Sequence, residues 1–367
     1  LTRLGEESGQ TTGTYTDKYL LNVKFMQTKQ NRWRIILAIL VLILLFGPFL
    51  VPVNSSGTLS HREVAGADAS FISAMGIDIH YEREAYQGSA DNPPLILLLH
   101  GFGASTWSWR EVIAPLSALG EVIAYDRPGF GFTERPTAWP ETNPYGLEGQ
   151  VQIIDAFIEQ FGDQQGPDQQ REIVLIGHSA GGTLAAEYAL RKPDAVDALV
   201  LVAPAILAGG GGRGGWLAAL TKIPQINRLG PLLVGRIASS GQTLLTRSWY
   251  DQSKITDEIL EGYTAPLAIA GWEQAFWEFS RADQHYRVRQ DIAQLQQAVI
   301  LISGDTDLVV ATDDTVKLSE MIADNRLSIL PNTGHLPQEE TPLLFLQALA
   351  DGWEDMLDGG ALQETEL

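Results

Sequence analysis

The feature that most restricts how this chain can fold is the stretch Gly177–Gly181, which reads GHSAG. An apolar run, Ile173–Ile176, precedes it, and a helical pattern, Thr183–Leu190, follows it. A G-x-S-x-G turn between a strand and a helix predicts a sharp bend that lifts the serine hydroxyl clear of a sheet. Because glycines flank the serine on both sides, we expect Ser179 in a strained backbone conformation of the kind that functional sites retain. The stretch alone also fits a glycine-rich turn with no catalytic role, so the choice between the two interpretations depends on the rest of the chain.

Short apolar runs alternate with helical patterns along the chain after about residue 69. The runs that begin with Leu95–Leu99 are continuously apolar, as is typical of parallel strands buried on both faces. Helical patterns such as Val151–Phe161 and Leu343–Met356 lie between and after them. The alternation predicts an α/β fold with a doubly wound, mostly parallel sheet. The predicted strands lie near Ile77–Tyr81, Leu95–Leu99, Val122–Tyr125, Ile173–Ile176, Ala198–Val202, Ala298–Ile302 and Leu327–Leu330.

One connection is too long for a simple crossover between strands. Val202 and Ala298 lie 96 positions apart, and the segment between them is rich in tryptophan, phenylalanine and leucine. We therefore expect residues 206–290 to form a mostly helical insertion over the sheet. Within it, the glycine-rich stretch Ala208–Gly215 lacks the Gly-Lys-Ser/Thr ending of a phosphate-binding loop. That stretch predicts a flexible hinge rather than a nucleotide site.

A second constraint is Ile35–Val53, nineteen residues without a charge. About 20 apolar residues span the hydrocarbon core of a bilayer. Four basic side chains lie between positions 24 and 34, whereas the first one after the segment is Arg62. This asymmetry predicts a cytoplasmic N-terminus and an extracytoplasmic main domain. Candidate cleavage sites within Ala65–Ala69 lie far downstream, which favours an uncleaved signal anchor over a cleaved signal peptide and a secreted protein.

These features divide the chain into five segments. Met26 and the basic residues after it read as an ordinary start of a signal anchor, so the start site is open between Leu1 and Met26. We expect a disordered cytoplasmic segment in residues 1–34, a transmembrane anchor in 35–53, a linker in 54–68, an α/β domain with its insertion in 69–356 and a flexible tail in 357–367.

The charge of the chain argues against nucleic acid as a partner. The net charge is −20, and residues 1–53 hold six basic and three acidic side chains, so the remainder carries −23. A domain of this charge repels nucleic acid and anionic head groups. The chain has no cysteine, which excludes disulfides and thiolate metal sites. Because no histidine and acidic residues cluster at ligand spacing, we expect neither a metal nor a cofactor.

The remaining chemistry-bearing residues fit a serine nucleophile. A serine hydroxyl needs a base, an acid that orients the base, and donors for the developing oxyanion. The base candidate is His335, in the loop between the last predicted strand and the last helix. Asp305 and Asp307 are the acid candidates, since they follow an apolar strand at the carboxyl edge of the sheet. The expected oxyanion donors are the backbone N–H groups of Ala180 and of Phe102, in the turn after the first buried strand.

With these motifs in place, the chain resembles the α/β-hydrolase fold superfamily, in its capped branch of esterases, lipases and related hydrolases. The resemblance covers about Ala69–Met356. The motifs that carry it are His100–Gly103, Tyr125–Gly131, Gly177–Gly181, Gly304–Asp307 and Gly334–His335.

The resemblance implies a Ser179–Asp307–His335 triad under a helical cap. In the family the acid lies three residues after the glycine that ends its strand, which selects Asp307 over Asp305. The nucleophile elbow is then made by Gly177, His178 and Gly181 around Ser179. Serine at this position argues against epoxide hydrolases and haloalkane dehalogenases, which use aspartate there.

The function expected from these residues is a membrane-anchored serine hydrolase that cleaves carboxylic esters or similar acyl compounds through an acyl-enzyme. The insertion is rich in tryptophan and leucine, which predicts a small apolar acyl or aromatic ester as substrate. Three alternatives stay open: a carbon–carbon bond hydrolase or a perhydrolase on the same triad, a receptor-like protein that binds a ligand with little turnover, and an insertion that serves as an interaction surface.

Overall fold

The computed structural model describes residues 13–162, 171–208 and 220–357. The described chain divides into two compact units. One consists of the N-terminal region up to Val53 together with residues 223–229, and the other holds the rest. The expected tail after residue 357 lies outside the described residues.

The N-terminal unit contains one long helix, α1 (Gly13–Leu50). Its part from Tyr19 to Leu50 is long and apolar enough to cross a membrane, by length and composition. The helix begins well before Ile35, whereas the sequence analysis expects disorder up to residue 34. No glycine or proline occurs between Gly13 and Phe46, and such residues are the ones that interrupt helices most strongly. Residues 1–12 lie outside the described part of the chain.

The second unit is built on one eight-stranded sheet, with the strand order β1-β2-β4-β3-β5-β6-β7-β8. β2 pairs antiparallel with both of its neighbours, β1 and β4, and every other pairing in the sheet is parallel. This architecture confirms the predicted α/β fold and mostly parallel sheet. The strands are β1 (Ser70–Ala74), β2 (Ile77–Glu84), β3 (Leu95–Leu99), β4 (Glu121–Tyr125), β5 (Ile173–His178), β6 (Ala198–Val202), β7 (Ala298–Gly304) and β8 (Asn325–Leu330).

The strand β1 is not among those predicted from the sequence. β1 joins β2 through a two-residue turn at Met75 and Gly76, both with positive φ, 56° and 76°. Two-residue hairpin turns require such angles, and their usual sequence signal is Asn-Gly or Asp-Gly. A Met-Gly turn lacks that signal, so the hairpin is not apparent from the residues.

Helices cover both faces of the sheet. One face is packed against α4, α5, α9 and α10, and the other against α3 and α12. After α1 the described helices are α2 (His61–Ala65), α3 (Ile113–Leu116), α4 (Leu147–Phe161), α5 (Ala180–Arg191), α6 (Pro224–Ser248), α7 (Asp257–Thr264), α8 (Trp272–Arg281), α9 (Val288–Asp291), α10 (Thr312–Met321), α11 (Pro337–Glu340) and α12 (Pro342–Leu357).

In its described part, the long connection between β6 and β7 is mostly helical, as the sequence predicts. It contains α6, α7 and α8, which we call the cap, and returns to the sheet through α9. Most of the glycine-rich stretch that predicts a hinge falls in residues 209–219, outside the described residues.

The segment expected as a plain linker is hydrogen-bonded to the cap. The Ser55 hydroxyl donates to the Glu273 carboxylate at 2.6 Å, and the amide and hydroxyl of Ser56 each donate to it at 2.7 Å. A β-bridge joins Leu59 to Ile269 just before α8. Small polar residues suggest a linker by composition, but here their hydroxyls satisfy a carboxylate at the start of a cap helix. We call residues 55–59 the strap.

Candidate active site

The serine turn between β5 and α5 has the strained geometry that its motif predicts. Ser179 has φ 52° and ψ −115°, in the left-handed half of backbone space that non-glycine residues rarely adopt. A Cβ at Gly177 would lie 2.5 Å from the carbonyl oxygen of Gly181, and one at Gly181 would lie 2.1 Å from that of Leu99. Both positions therefore require glycine, and the chain bends tightly enough to present the serine at the end of the sheet.

His335 is paired with Asp307 and not with the alternative Asp305. The imidazole Nδ1 lies 2.6 Å from Asp307 Oδ2. The other oxygen of that carboxylate accepts hydrogen bonds from the amides of Val309 at 2.7 Å and Val310 at 2.9 Å, so the carboxylate cannot rotate freely. Asp305 is exposed. With Nδ1 donating to the carboxylate, the Nε2 atom of the imidazole is left as the acceptor.

Ser179 and His335 open on the same cavity, which has a volume of about 600 Å³. The structure shows no hydrogen bond between these two described residues, and catalytic contacts of this kind often tighten only when substrate binds. The cavity wall on the cap side is mostly apolar. Its large apolar residues are Val234, Leu244, Leu245, Leu260, Trp272 and Phe276.

The residues expected to supply the oxyanion donors are Ala180, next to the serine in the chain, and Phe102, on the wall of the same cavity. Ala180 is the first residue of α5, so its amide has no acceptor within the helix. Phe102 lies in the turn after β3 and lines the cavity. A Cβ at the preceding Gly101 would lie 3.2 Å from the Cβ of Ser179, which shows how closely this turn approaches the serine.

His178, expected only as part of the elbow, has a defined contact with the base loop. Its Nε2 lies 2.8 Å from the carbonyl oxygen of His335. Burial lowers the pKa of the His178 imidazole well below 6.5, and the nearby His335 lowers it further. A neutral ring with a proton on Nε2 donates to that carbonyl, so His178 ties the elbow to the loop that carries His335.

Two buried glutamates in α11 are absent from the sequence analysis. Glu339 accepts hydrogen bonds from Ser108 at 2.8 Å, from Arg110 at 2.7 Å and from the Tyr263 hydroxyl. Burial raises the pKa of Glu339, although Arg110 and these donors oppose the shift. Glu340, the next residue, is equally buried. The only sequence feature that points to this buried site is the pair of adjacent acidic residues shortly after His335. Such a pair usually indicates a solvent-exposed face.

Within the described part of the chain, one cluster has residue types that bind metals. The ligand atoms of His61, Asp78 and Glu134 all lie within 4.8 Å of one another. The residues are far apart in the chain, so their spacing gives no signal. The guanidinium of Arg62 already donates to Asp78 at 2.8 Å, and the Asp78 amide donates to Glu134 at 2.9 Å. Internal partners therefore occupy these acids.

A parallel α/β sheet with a strained serine elbow and a buried histidine–aspartate pair above an apolar cavity defines a hydrolase of the α/β class. Residues 96–348 match the model of the alpha/beta hydrolase family. The match covers more than half of the chain, and this protein belongs to that family.

Relatives of the chain are named for different substrates. A 2-hydroxy-6-oxo-2,4-heptadienoate hydrolase of Pseudomonas putida is 25% identical over 277 residues, covering 74% of this chain and 92% of the relative. Human monoacylglycerol lipase ABHD6 is 26% identical over 296 residues, covering 76% and 82%. The solved structure of a meta-cleavage product hydrolase from Pseudomonas fluorescens IP01 aligns with a TM-score of 0.58 at 25% identity, covering 78% of this chain and 97% of that one.

Proposed function

We propose that this protein is a membrane-anchored serine hydrolase that cleaves carboxylic esters of apolar acids through an acyl-enzyme. The observation that carries the proposal is the strained Ser179 elbow opening, together with the His335–Asp307 pair, on an apolar cavity of about 600 Å³. The similarity to a monoacylglycerol lipase supports an ester as the substrate.

In the first half of the reaction, the Ser179 hydroxyl oxygen adds to the ester carbonyl carbon while Nε2 of His335 takes its proton. The carbonyl π electrons move to the oxygen, and the amides of Phe102 and Ala180 donate to the resulting oxyanion. Removing one such donor typically lowers the rate roughly 10²–10³-fold. The oxyanion then collapses, the carbon–oxygen bond to the leaving alcohol breaks, and the imidazolium returns its proton to that alcohol.

In the second half, water replaces the alcohol. His335 takes a proton from the water as its oxygen adds to the acyl carbon. The second oxyanion then collapses, the bond between the acyl carbon and the serine oxygen breaks, and the imidazolium returns its proton to that oxygen as the acid leaves. Asp307 holds the imidazole in the tautomer that both halves require. The mechanism needs His335 neutral at the start of each half.

In this proposal the anchor is the segment 35–53, of which residues 35–50 lie in α1, with the N-terminus in the cytoplasm and the catalytic unit outside. Support for this arrangement comes from the length and composition of the helix and from the basic residues that precede but do not follow the apolar segment.

A carbon–carbon bond hydrolase is the second candidate, and Arg135 is the observation that favours it. Arg135 lines the cavity and donates to the carbonyls of Phe130 at 2.9 Å and Gly131 at 2.6 Å. Its Nε has no partner, and no carboxylate forms an ion pair with it among the described residues. Burial lowers the pKa of the guanidinium to about 10, so it stays charged at neutral pH. A cation there suits a carboxylate such as that of the dienoate named for the Pseudomonas putida relative.

One substrate panel separates the two candidates. We would give the full-length protein in detergent p-nitrophenyl esters of rising acyl length and a 2-hydroxy-6-oxo-dienoate, with Ser179→Ala as the matched control. Ester turnover that prefers longer acyl chains and is lost in the variant supports the proposal. Preference for the dienoate by more than about tenfold in kcat/KM, a difference of about 1.4 kcal/mol, would replace it with the second candidate. Activity that persists in the variant would refute both.

A further inference from the structure

Glu340 is a buried carboxylate with an unusual set of partners. It is 4% exposed, and no lysine or arginine forms an ion pair with its side chain among the described residues. Three backbone amides bind it instead: Oε2 accepts from Gly334 at 2.7 Å and from Tyr250 at 3.0 Å, and Oε1 accepts from Asp251 at 2.7 Å. Burying a carboxylate costs free energy unless hydrogen bonds replace its hydration. Here three N–H donors do so.

These hydrogen bonds join two segments that are far apart in the chain. Gly334 directly precedes His335, whereas Tyr250 and Asp251 follow the end of α6 in the cap. On the other side of the same contact, the amide of His335 donates to the carbonyl oxygen of Ser248 at 2.6 Å.

The contact is too close to admit a side chain. A Cβ at Gly334 would lie 2.4 Å from the Ser248 carbonyl oxygen and 2.8 Å from the Tyr250 amide nitrogen. The base loop, which carries Gly334 and His335, and residues 248–251 therefore form one hydrogen-bonded unit. Among the side chains that the structure describes, only that of Glu340 accepts hydrogen bonds from both segments.

The position of the imidazole depends on this unit. The hydrogen bond to Asp307 sets the rotation of the ring about its side chain, but it does not fix the backbone from which the side chain extends. The hydrogen bonds from the Gly334 amide to Glu340 and from the His335 amide to Ser248 fix that backbone. A displacement of about 1 Å at a reacting group lowers a rate roughly 10²-fold.

We propose that Glu340 is a positioning residue for the base: by holding the Gly334 amide to the cap segment 248–251, it sets where Nε2 of His335 lies relative to the Ser179 hydroxyl. This inference rests on the proposed function, because it takes His335 as the base. It follows that the cap contributes to chemistry as well as to substrate binding.

Glu187 provides a matched control. It is 0% exposed. Its Oε2 accepts from the amides of Arg287 at 2.7 Å and Val288 at 2.8 Å, where the chain returns from the cap, and unlike Glu340 it also has an ion pair, from Arg191 Nε to Oε1 at 2.8 Å. Both glutamates thus join the sheet-bound part of the chain to a cap boundary through backbone amides. Only Glu340 binds the base loop.

The test compares Glu340→Gln with Glu187→Gln in the full-length protein, using p-nitrophenyl ester kinetics and the rate at which a p-nitrophenyl phosphonate labels Ser179. The amide removes the charge and places an N–H₂ group among N–H donors. For Glu340→Gln we expect kcat and the labelling rate to fall roughly 10²-fold while KM changes less than about threefold. For Glu187→Gln we expect a similar loss of thermal stability but kcat within about threefold of wild type.

A second variant and an NMR measurement distinguish a displaced imidazole from a protein that has failed to fold. Glu340→Asp keeps the charge but withdraws it by one methylene, so we expect a smaller fall in kcat at unchanged KM. The proton on Nδ1 of His335 should give a downfield NMR resonance, which we expect to shift in both Glu340 variants and to stay in place in Glu187→Gln. Wild-type kcat together with an unmoved resonance in either folded Glu340 variant would overturn the inference alone. A wild-type protein that neither cleaves esters nor labels at Ser179 would overturn the proposed function and the inference with it.

Discussion

The carboxyl edge of the sheet and the cap contribute to the same cavity in different ways. The edge residues are positioned by backbone geometry: the positive φ of Ser179, the close approach of Gly181 to β3, and the amides that bind Asp307. The cap contributes mainly side-chain surface, such as Trp272 and Phe276. On the proposed function, the sheet edge carries the reacting groups and the cap supplies most of the apolar contact with substrate, while Glu340 joins the cap to the loop that carries His335.

Replacing the acid at the sheet edge should have the largest effect. We expect Asp307→Asn to lower kcat roughly 10⁴-fold, because an amide at that position favours the wrong imidazole tautomer, as in the serine-protease triad. Asp305→Asn is the matched control, since Asp305 is exposed and does not contact His335; we expect its kcat within about threefold of wild type. Steady-state kinetics on a p-nitrophenyl ester measures both. A larger loss from Asp305→Asn would reverse the assignment of the acid.

Truncating a cap side chain should have a smaller effect of a different kind. Phe276 lines the cavity and packs edge-to-face on Phe102 with ring centroids 5.3 Å apart. We expect Phe276→Ala to raise KM for long-chain esters about tenfold, equivalent to about 1.4 kcal/mol of lost apolar contact. The acetate ester serves as the control substrate, for which kcat should change little. An equal fall in kcat for acetate and long-chain esters would show that the cap–edge division is wrong.

The smallest effect on activity is expected at the strap, where a substitution should change the stability of the fold instead. Burial raises the pKa of Glu273, but hydrogen bonds from Ser55 and Ser56 outweigh it and hold the pKa below 4.5. A lowered folded-state pKa contributes stability above the unfolded value that is lost as the pH falls through the folded value. We therefore expect Glu273→Gln to lower the free energy of unfolding by about 1–2 kcal/mol at neutral pH.

Thermal unfolding over a pH series checks the sign of this effect. Below pH 4.5 the wild-type carboxylate becomes protonated, so the difference between wild type and Glu273→Gln should shrink as the pH falls. A difference that is constant, or that grows on acidification, would contradict the hydrogen-bonded carboxylate between strap and cap.

The same division explains what the sequence predicts and what it does not. The continuously apolar strands and the GHSAG turn depend on local pattern, and the fold and the elbow geometry agree with the prediction. Cap contacts depend on residues distant in the chain. Glu340 meets Tyr250 across 90 positions, and Glu273 meets Ser55 across 218. Local sequence periodicity does not reveal contacts between residues so far apart. From the sequence alone, therefore, the strap resembles a linker, and the two glutamates of α11 resemble a charge pair on the surface.

The assignment of Ser179 as the nucleophile, at the strained turn on the sheet edge, can be tested by peptide mapping. The full-length protein is treated with a p-nitrophenyl phosphonate and its peptides are analysed by mass spectrometry. We expect one phosphonyl group per chain on the peptide that contains Ser179, equimolar release of p-nitrophenol, and no adduct in Ser179→Ala. An adduct on another residue, or one that forms equally in Ser179→Ala, would contradict it.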